Sequence, residues 1–344
     1  MTKPRTYESI ELDDFELENG RTLENAHVGC ALWGAPASAA ERVVVLPSYY
    51  SGNALSYTPW VGDTGLFDPA TCCVIAFDQF GAGKSSKPSD GGGLSAWPCP
   101  SLADDARAQR RTLARMGIDR IDLVAGWSMG GMQAFVWHAL FPDAIGAALA
   151  ICATPAPSAV NRVFLEGIRA VLVGTPGQAG LAAFDALPAE ALTRRLAAFG
   201  AVYAGWAYSD EFFLTGAYRK FGYESPEAVL TGWARDHVAM DAADLAAQLD
   251  AWLSAKTPKR TVSAHSGVTP PLVAMPSRTD RYFLTETLGG ARDDFPDMKV
   301  VEIDSDLGHI AGRPGIRLAE TSQIKAQVDK LFSQMEPRHP EGIP

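Results

Sequence analysis

The stretch DLVAGWSMGGMQAF, residues 122–135, constrains this chain more than any other. It begins as a short apolar run, passes through a serine hemmed in by small residues, and continues as an apolar helical pattern. Gly126-Trp127-Ser128-Met129-Gly130 fits G-x-S-x-G between a strand and a helix. In that context a serine occupies a sharp, strained turn and presents its hydroxyl at the top of a sheet. Small neighbours are needed because a bulky side chain beside so tight a turn would clash. The competing reading makes Ser128 a helix N-cap and the glycines mere spacers for helix–strand packing.

If Ser128 tops a sheet, the other strands should be legible. RVVVLP (42–47), CCVIAFD (72–78), RIDLVAG (120–126) and IGAALAIC (145–152) are short continuous apolar runs, the pattern of parallel strands buried on both faces. Strand signals return at PPLVAMP (270–276) and MKVVEIDS (298–305). DDARAQRRTLARMGI (104–118) and GIRLAETSQIKAQVDKLFSQM (315–335) carry helical periodicity. Alternation on either side of Asn19-Gly20 reads as a hairpin. Residues 155–265 are rich in Ala, Leu and aromatics without a buried strand, which predicts a helical lid inserted into a core of residues 1–154 and 266–344. The tail EPRHPEGIP is expected to fray. Strands alternating with helices predict an α/β fold, a mostly parallel central sheet covered by helices.

A nucleophile at such an elbow needs an acid and then a histidine, in that chain order. Asp280 follows one strand, in PSRTDRYF, and His309 follows the next, in SDLGHIAG. Both fall in loops beyond strand C-termini, where these sheets place ligands. His309 would be the general base toward Ser128, and Asp280 would orient its ring and stabilise its cation. Asp304 and Asp306, close to His309, are the rival acids. The N–H of Met129, at a helix N-terminus, can stabilise an oxyanion. A second donor is expected from LPSYYSGNALSY (46–57): the backbone N–H of Tyr50, with that of Tyr49 as the alternative. Tyr49, Trp127 and Phe80 are the expected substrate pocket, with aromatic bulk that leaves room for a short acyl chain. Lys84 and Arg235 are the cations that could hold a carboxylate. Gly83-Lys84-Ser85 superficially suggests a phosphate loop, but G-x-x-x-x-G-K-[ST] would need glycine where this chain has Asp78.

Charge and composition narrow the partners. A net charge of -10 and a pI near 5.1 argue against nucleic acid or an anionic membrane. No apolar run approaches the roughly 18 residues of a membrane span, and the N-terminus lacks a signal core. The five cysteines are odd in number and lack metal-ligand spacing, as in reduced cytosolic proteins, and the six histidines are scattered. The expectation is a cytoplasmic protein that uses no metal or cofactor.

GWSMGGMQAFVWHALFPD resembles the nucleophile region of the homoserine O-acetyltransferase group of α/β-hydrolases. The resemblance runs from VVVLPSYYSGNA to DLGHIAG, takes in the lid stretch MDAADLAAQLDAW, and covers most of the chain. It implies an α/β-hydrolase fold with Ser128, Asp280 and His309 as catalytic set and Met129 and Tyr50 at the oxyanion hole. Four departures separate this chain from the transacetylases. Trp127 replaces the glycine of G-G-S-M-G-G-M-Q, SYYSG stands for H-A-L-T-G, DQFGAGKSSKPS stands for N-x-L-G-G-C-x-G-S-T-G-P, and Gly308-His309-Ile310 stands for G-H-D. A sister branch that hydrolyses short acetate esters carries GWSMGG, FGxGxSSxPS, DxYF and GHxAG, and this chain has all four. The resemblance therefore implies a serine esterase for small acyl esters acting through an acyl-enzyme. Acyl transfer from acetyl-CoA to homoserine is the second reading, and an inactive binding protein on the same fold the third. The group is often dimeric, so a homodimer is expected alongside a small-molecule ester as partner.

Overall fold

Among the described residues, eight strands form one sheet in the order β1-β2-β4-β3-β5-β6-β7-β8. They are β1 Thr6–Glu16, β2 Thr22–Gly34, β3 Arg42–Pro47, β4 Cys72–Phe77, β5 Ile121–Trp127, β6 Ile145–Ile151, β7 Leu272–Met275 and β8 Lys299–Val300. The computed structural model describes residues 2–174, 180–260 and 269–337. Residues 175–179 and 261–265 of the expected lid, and 338–344 of the expected frayed tail, lie outside them. β1–β2 and β2–β4 pair antiparallel, the first pair closing the expected hairpin, and every other pairing is parallel.

The burial follows from the sequence pattern. All residues of β3 and β4 are buried, as uninterrupted apolar runs require, while β1 at the sheet edge shows only Leu12 and Phe15 buried. The expected strand 298–305 is much shorter: only Lys299–Val300 is regular. As the outermost strand it has a single neighbour, and its pairing with the β7 side thins to separate bonds, Val301 N–H to Ala274 (2.9 Å) and Ile303 N–H to Pro276 (2.8 Å).

Among the described residues, ten α-helices complete the fold: α1 Gly93–Ala96, α2 Leu102–Arg115, α3 Met129–Leu140, α4 Ala159–Leu172, α5 Leu181–Asp185, α6 Ala189–Ala207, α7 Asp210–Leu214, α8 Pro226–Val238, α9 Ala242–Leu253 and α10 Leu318–Ser333. α2 starts at a capping box in which Ser101 Oγ accepts from Asp104 N–H and Asp104 Oδ2 accepts from Ser101 N–H. Among the described residues, the segment between β6 and β7 is helical throughout, α4 to α9 with one 3₁₀ turn, Ala217–Phe221. Ser158, Ser209, Ser225 and Asp241 cap four of these helices with their side chains. The helices bury an aromatic core of Phe164, Phe199, Tyr203 and Trp252, which packs directly on Tyr50 and Tyr282 of the sheet's loops. Among the described residues, no helix is long and apolar enough to cross a membrane.

The chain leaves β3 for β4 on one side and reaches β5 on the other. The crevice where strand order reverses, at the C-terminal edge, is where open α/β sheets bind ligands. The loops after β3, β5, β7 and β8 converge there.

Candidate active site

Ser128 lies between β5 and α3 with φ +58° and ψ −125°, a backbone conformation that L-residues rarely adopt. The turn is held by Ser128 N–H to Ile151 carbonyl (2.9 Å) and Met132 N–H to Ser128 carbonyl (2.9 Å). Packing explains the glycines. A Cβ on Gly126 would lie 2.2 Å from Gly130, and one on Gly130 would lie 2.3 Å from the Pro47 carbonyl. Although Ser128 precedes a helix, its hydroxyl makes no capping bond. The hydroxyl turns to His309, 2.9 Å from Nε2. That excludes the N-cap reading.

His309 sits on a 3₁₀ turn, Gly308–Gly312. Its Nδ1–H donates to Asp280 Oδ2 at 2.7 Å, which leaves Nε2 as the acceptor for the serine hydroxyl. The other Asp280 oxygen accepts from the N–H groups of Tyr282 (3.1 Å) and Phe283 (3.0 Å), so the carboxylate is fully engaged and fixed. The imidazole is packed against Trp127, Tyr282 and Phe283, and the Trp127 indole N–H donates to the His309 carbonyl at 3.0 Å. Serine, histidine and aspartate are all buried, at 2%, 1% and 5% exposure, so the chain of bonds is shielded from competing water. The rival acids lie elsewhere. Asp304 pairs with Arg278 (3.1 Å) and Asp306 with Arg317 (2.6 Å).

The N–H groups of the first turn of α3, Met129 among them, have no intrahelical acceptor. Tyr50 N–H, on the loop after β3, donates to no acceptor among the described residues. Ser128 and His309 line a cavity of about 180 Å³ together with Tyr49, Tyr50 and Trp127. Its far wall comes from the helices between β6 and β7: Tyr203, Tyr208, Trp233 and His237. Burial pushes the phenols of Tyr49, Tyr50 and Tyr282 up, so they stay neutral. His237 Nδ1 donates to the Trp233 carbonyl (2.8 Å), and burial lowers its pKa, which keeps that ring neutral as well. Phe80 is the expected pocket residue that does not line this cavity. Its N–H is held by Asp105 Oδ1 (2.7 Å), and its ring packs on Phe15.

The charges also differ from expectation. Lys84 extends to the Tyr7 carbonyl (2.8 Å) and the Tyr7 ring, and Arg235 is 80% exposed and pairs with Asp236, so neither lines the cavity. Asp236 and Arg313, both exposed, stand at its rim. Arg313 and Ser56 face the Tyr49 hydroxyl. Cys152, at the end of β6, stands beside the site although no motif marks it. Its sulfur, a ring nitrogen of His309 and a carboxylate oxygen of Asp280 lie within 4.8 Å of one another. Burial holds its thiol well above the ordinary range, so it remains a neutral neighbour with no thiolate to compete with Ser128. None of the five cysteines forms a disulfide.

Residues 50–311 match the family model described as the alpha/beta hydrolase fold. The chain is 28% identical over 343 residues to an ethyl acetate hydrolase of Pseudomonas veronii, a match that covers 95% of each protein. It is 39% identical over 209 residues to a homoserine O-acetyltransferase of Gluconobacter oxydans, covering 54% of this chain and 53% of that one. Among solved structures it resembles the acetyl esterase MekB with a TM-score of 0.85 and 25% identity, over 95% of this chain and 97% of that one.

Proposed function

We propose that this chain, which belongs to the alpha/beta hydrolase family, is a serine carboxylesterase that hydrolyses small acyl esters, acetates above all. The observation that carries the reading is the unbroken set of bonds from Asp280 Oδ2 through His309 (2.7 Å) to Ser128 Oγ (2.9 Å) on the wall of an aromatic cavity. Ser128 Oγ attacks the ester carbonyl while His309 Nε2 takes its proton. Asp280 holds the imidazole and offsets the positive charge that develops on it. The N–H groups of Met129 and Tyr50 hold the oxyanion of the tetrahedral intermediate. His309 then gives the proton to the departing alcohol, and an acyl-serine remains. Water, deprotonated by the same nitrogen, attacks the acyl-serine and releases the acid. Helices α4 to α9 are read as a lid that closes the cavity over the ester.

The cavity supports a small substrate. A void of roughly 150 Å³ is enough for benzene, a guest close in size to ethyl acetate, and the cavity here is about 180 Å³. The P. veronii relative is named for ethyl acetate and MekB for acetyl esters. Transfer from acetyl-CoA to homoserine is the second reading. A specific feature favours it: Arg313 and Asp236 at the cavity rim could meet the carboxylate and ammonium of an amino acid acceptor.

One experiment tests both readings. p-Nitrophenyl esters from acetate to octanoate are compared by kcat/KM, and acetyl-CoA with homoserine is followed by free thiol and O-acetylhomoserine. We expect the optimum at acetate or propionate, since each refused methylene costs roughly 1–3 kcal/mol in discrimination, and no gain in rate from homoserine. An optimum at octanoate contradicts the small pocket. Homoserine-dependent thiol release with stoichiometric O-acetylhomoserine makes the transferase the right reading.

A further inference from the structure

The loop carrying Tyr49 and Tyr50 is pinned at both ends by buried glutamine side chains. At its start, the Ser48 carbonyl accepts from Gln133 Nε2 (3.0 Å), on the nucleophile helix α3. At its end, Ser51 N–H donates to Gln248 Oε1 (3.0 Å), on α9. Gln79 joins the two: its Nε2 donates to Gln248 Oε1 (3.0 Å), and its Oε1 accepts from Gln133 Nε2 (3.4 Å). Gln248 Nε2 in turn donates to the Gly81 carbonyl (2.8 Å) and the Asp244 carbonyl (3.2 Å). A second tie to α9, Tyr50 hydroxyl to the Leu245 carbonyl, is longer at 3.3 Å.

Ser51 itself has φ +60°, a conformation that costs energy for a residue other than glycine and persists only when its surroundings impose it. The bond from Gln248 acts directly on that strained residue. Gln248 is only 4% exposed, so water cannot replace the bond cheaply. Its amide orientation is fixed by chemistry, because the Ser51 N–H needs an acceptor and the two carbonyls need a donor.

We propose that Gln248 is a positioning residue for the oxyanion loop: by accepting from Ser51 N–H it sets the direction of the Tyr50 N–H and couples α9 to turnover. The inference rests on the esterase reading, in which Tyr50 N–H is an oxyanion donor. Gln248 does not touch the reacting atoms. Its loss lets the loop relax, and a donor misplaced by a fraction of its bond length serves the transition state worse than the ground state.

The test compares wild type, Gln248→Leu and Gln248→Glu on p-nitrophenyl acetate. Gln248→Leu should lower kcat by ~10- to 100-fold, with KM changed by less than about two-fold. Gln248→Glu, when ionised, turns an anion toward the Gly81 and Asp244 carbonyls, and their repulsion draws the side chain away from its bond with Ser51 N–H. Protonation restores the missing donor. The kcat of this variant relative to wild type should therefore rise as pH falls from about 9 to about 5. The titratable groups around the introduced carboxyl are Asp244, bound to Ser89 and near Lys87; Asp241, capping α9; Asp78, held by Ala54 and Lys84; and the Tyr50 phenol. A merely structural role would lower the melting temperature and leave that ratio flat. A flat ratio, or a Gln248→Leu kcat within about two-fold of wild type, overturns the proposal. Should Gln248→Leu fail to fold, the pH dependence of Gln248→Glu decides alone. The esterase reading fails separately, if Ser128→Ala remains active.

Discussion

Ser128→Ala should lower kcat on acetate esters by a factor of about a million, the loss that removing a triad serine brings. In the proposed mechanism the hydroxyl is the atom that bonds to the acyl carbon, which alanine cannot do. Cys152, whose sulfur lies beside His309 and Asp280, is held neutral by burial. What remains should be the catalysis supplied by binding and the oxyanion hole, roughly 10³–10⁴ over water. The fold should tolerate the change. Ser128 makes no capping bond that alanine would lose, and its backbone bonds to Ile151 and Met132 remain. The positive φ strains alanine no more than serine. Circular dichroism and melting temperature should match wild type while steady-state turnover disappears. An active, folded alanine variant removes Ser128 from the mechanism.

The second large effect belongs to the acid. Asp280→Asn should lower kcat by about 10⁴, because the amide can present its N–H₂ to His309 and favour the wrong tautomer. Nδ1 would then accept and Nε2 would carry the proton, so the nitrogen 2.9 Å from Ser128 could no longer take one. The bonds from Tyr282 and Phe283 N–H to the other oxygen survive in asparagine, so the loop should keep its shape. Asp304→Asn and Asp306→Asn serve as controls. Each breaks an ion pair, with Arg278 or Arg317, away from the imidazole, and each should leave kcat within a few-fold of wild type. Parallel kinetics on the three variants check this. A crippled Asp306→Asn beside a healthy Asp280→Asn would reassign the acid.

Features coded by local patterning were legible in the chain itself. A strand, a serine among glycines and a helix are consecutive in residues 121–140, so elbow and sheet position follow from neighbours alone. Asp280 and His309 could be placed because each follows an apolar run at a strand end. The cavity's far wall could not. Tyr203, Trp233 and His237 stand on helices whose internal period shows which residues are buried but not what they are buried against. Phe80 stands outside the cavity for a similar reason: it adjoins the Asp78 loop in sequence, but a bond from its N–H to Asp105 turns the residue toward Phe15. Gln248 gave no signal either, since a glutamine in an Ala-rich helix reads as solvent-facing until its three partner segments are brought together. Strand β8 is shorter than its β-favourable stretch because it has only one neighbour, which that stretch does not show.

The central claim is that Ser128 forms the covalent bond to substrate, and labelling tests it most directly. The wild-type protein is treated with a small serine-directed phosphonate, digested, and mapped by mass spectrometry, with Ser128→Ala as the parallel sample. The account predicts one stoichiometric adduct on Ser128, loss of esterase activity in step with labelling, and no adduct in the alanine variant. An adduct on another residue, or full labelling with esterase activity intact, would contradict it.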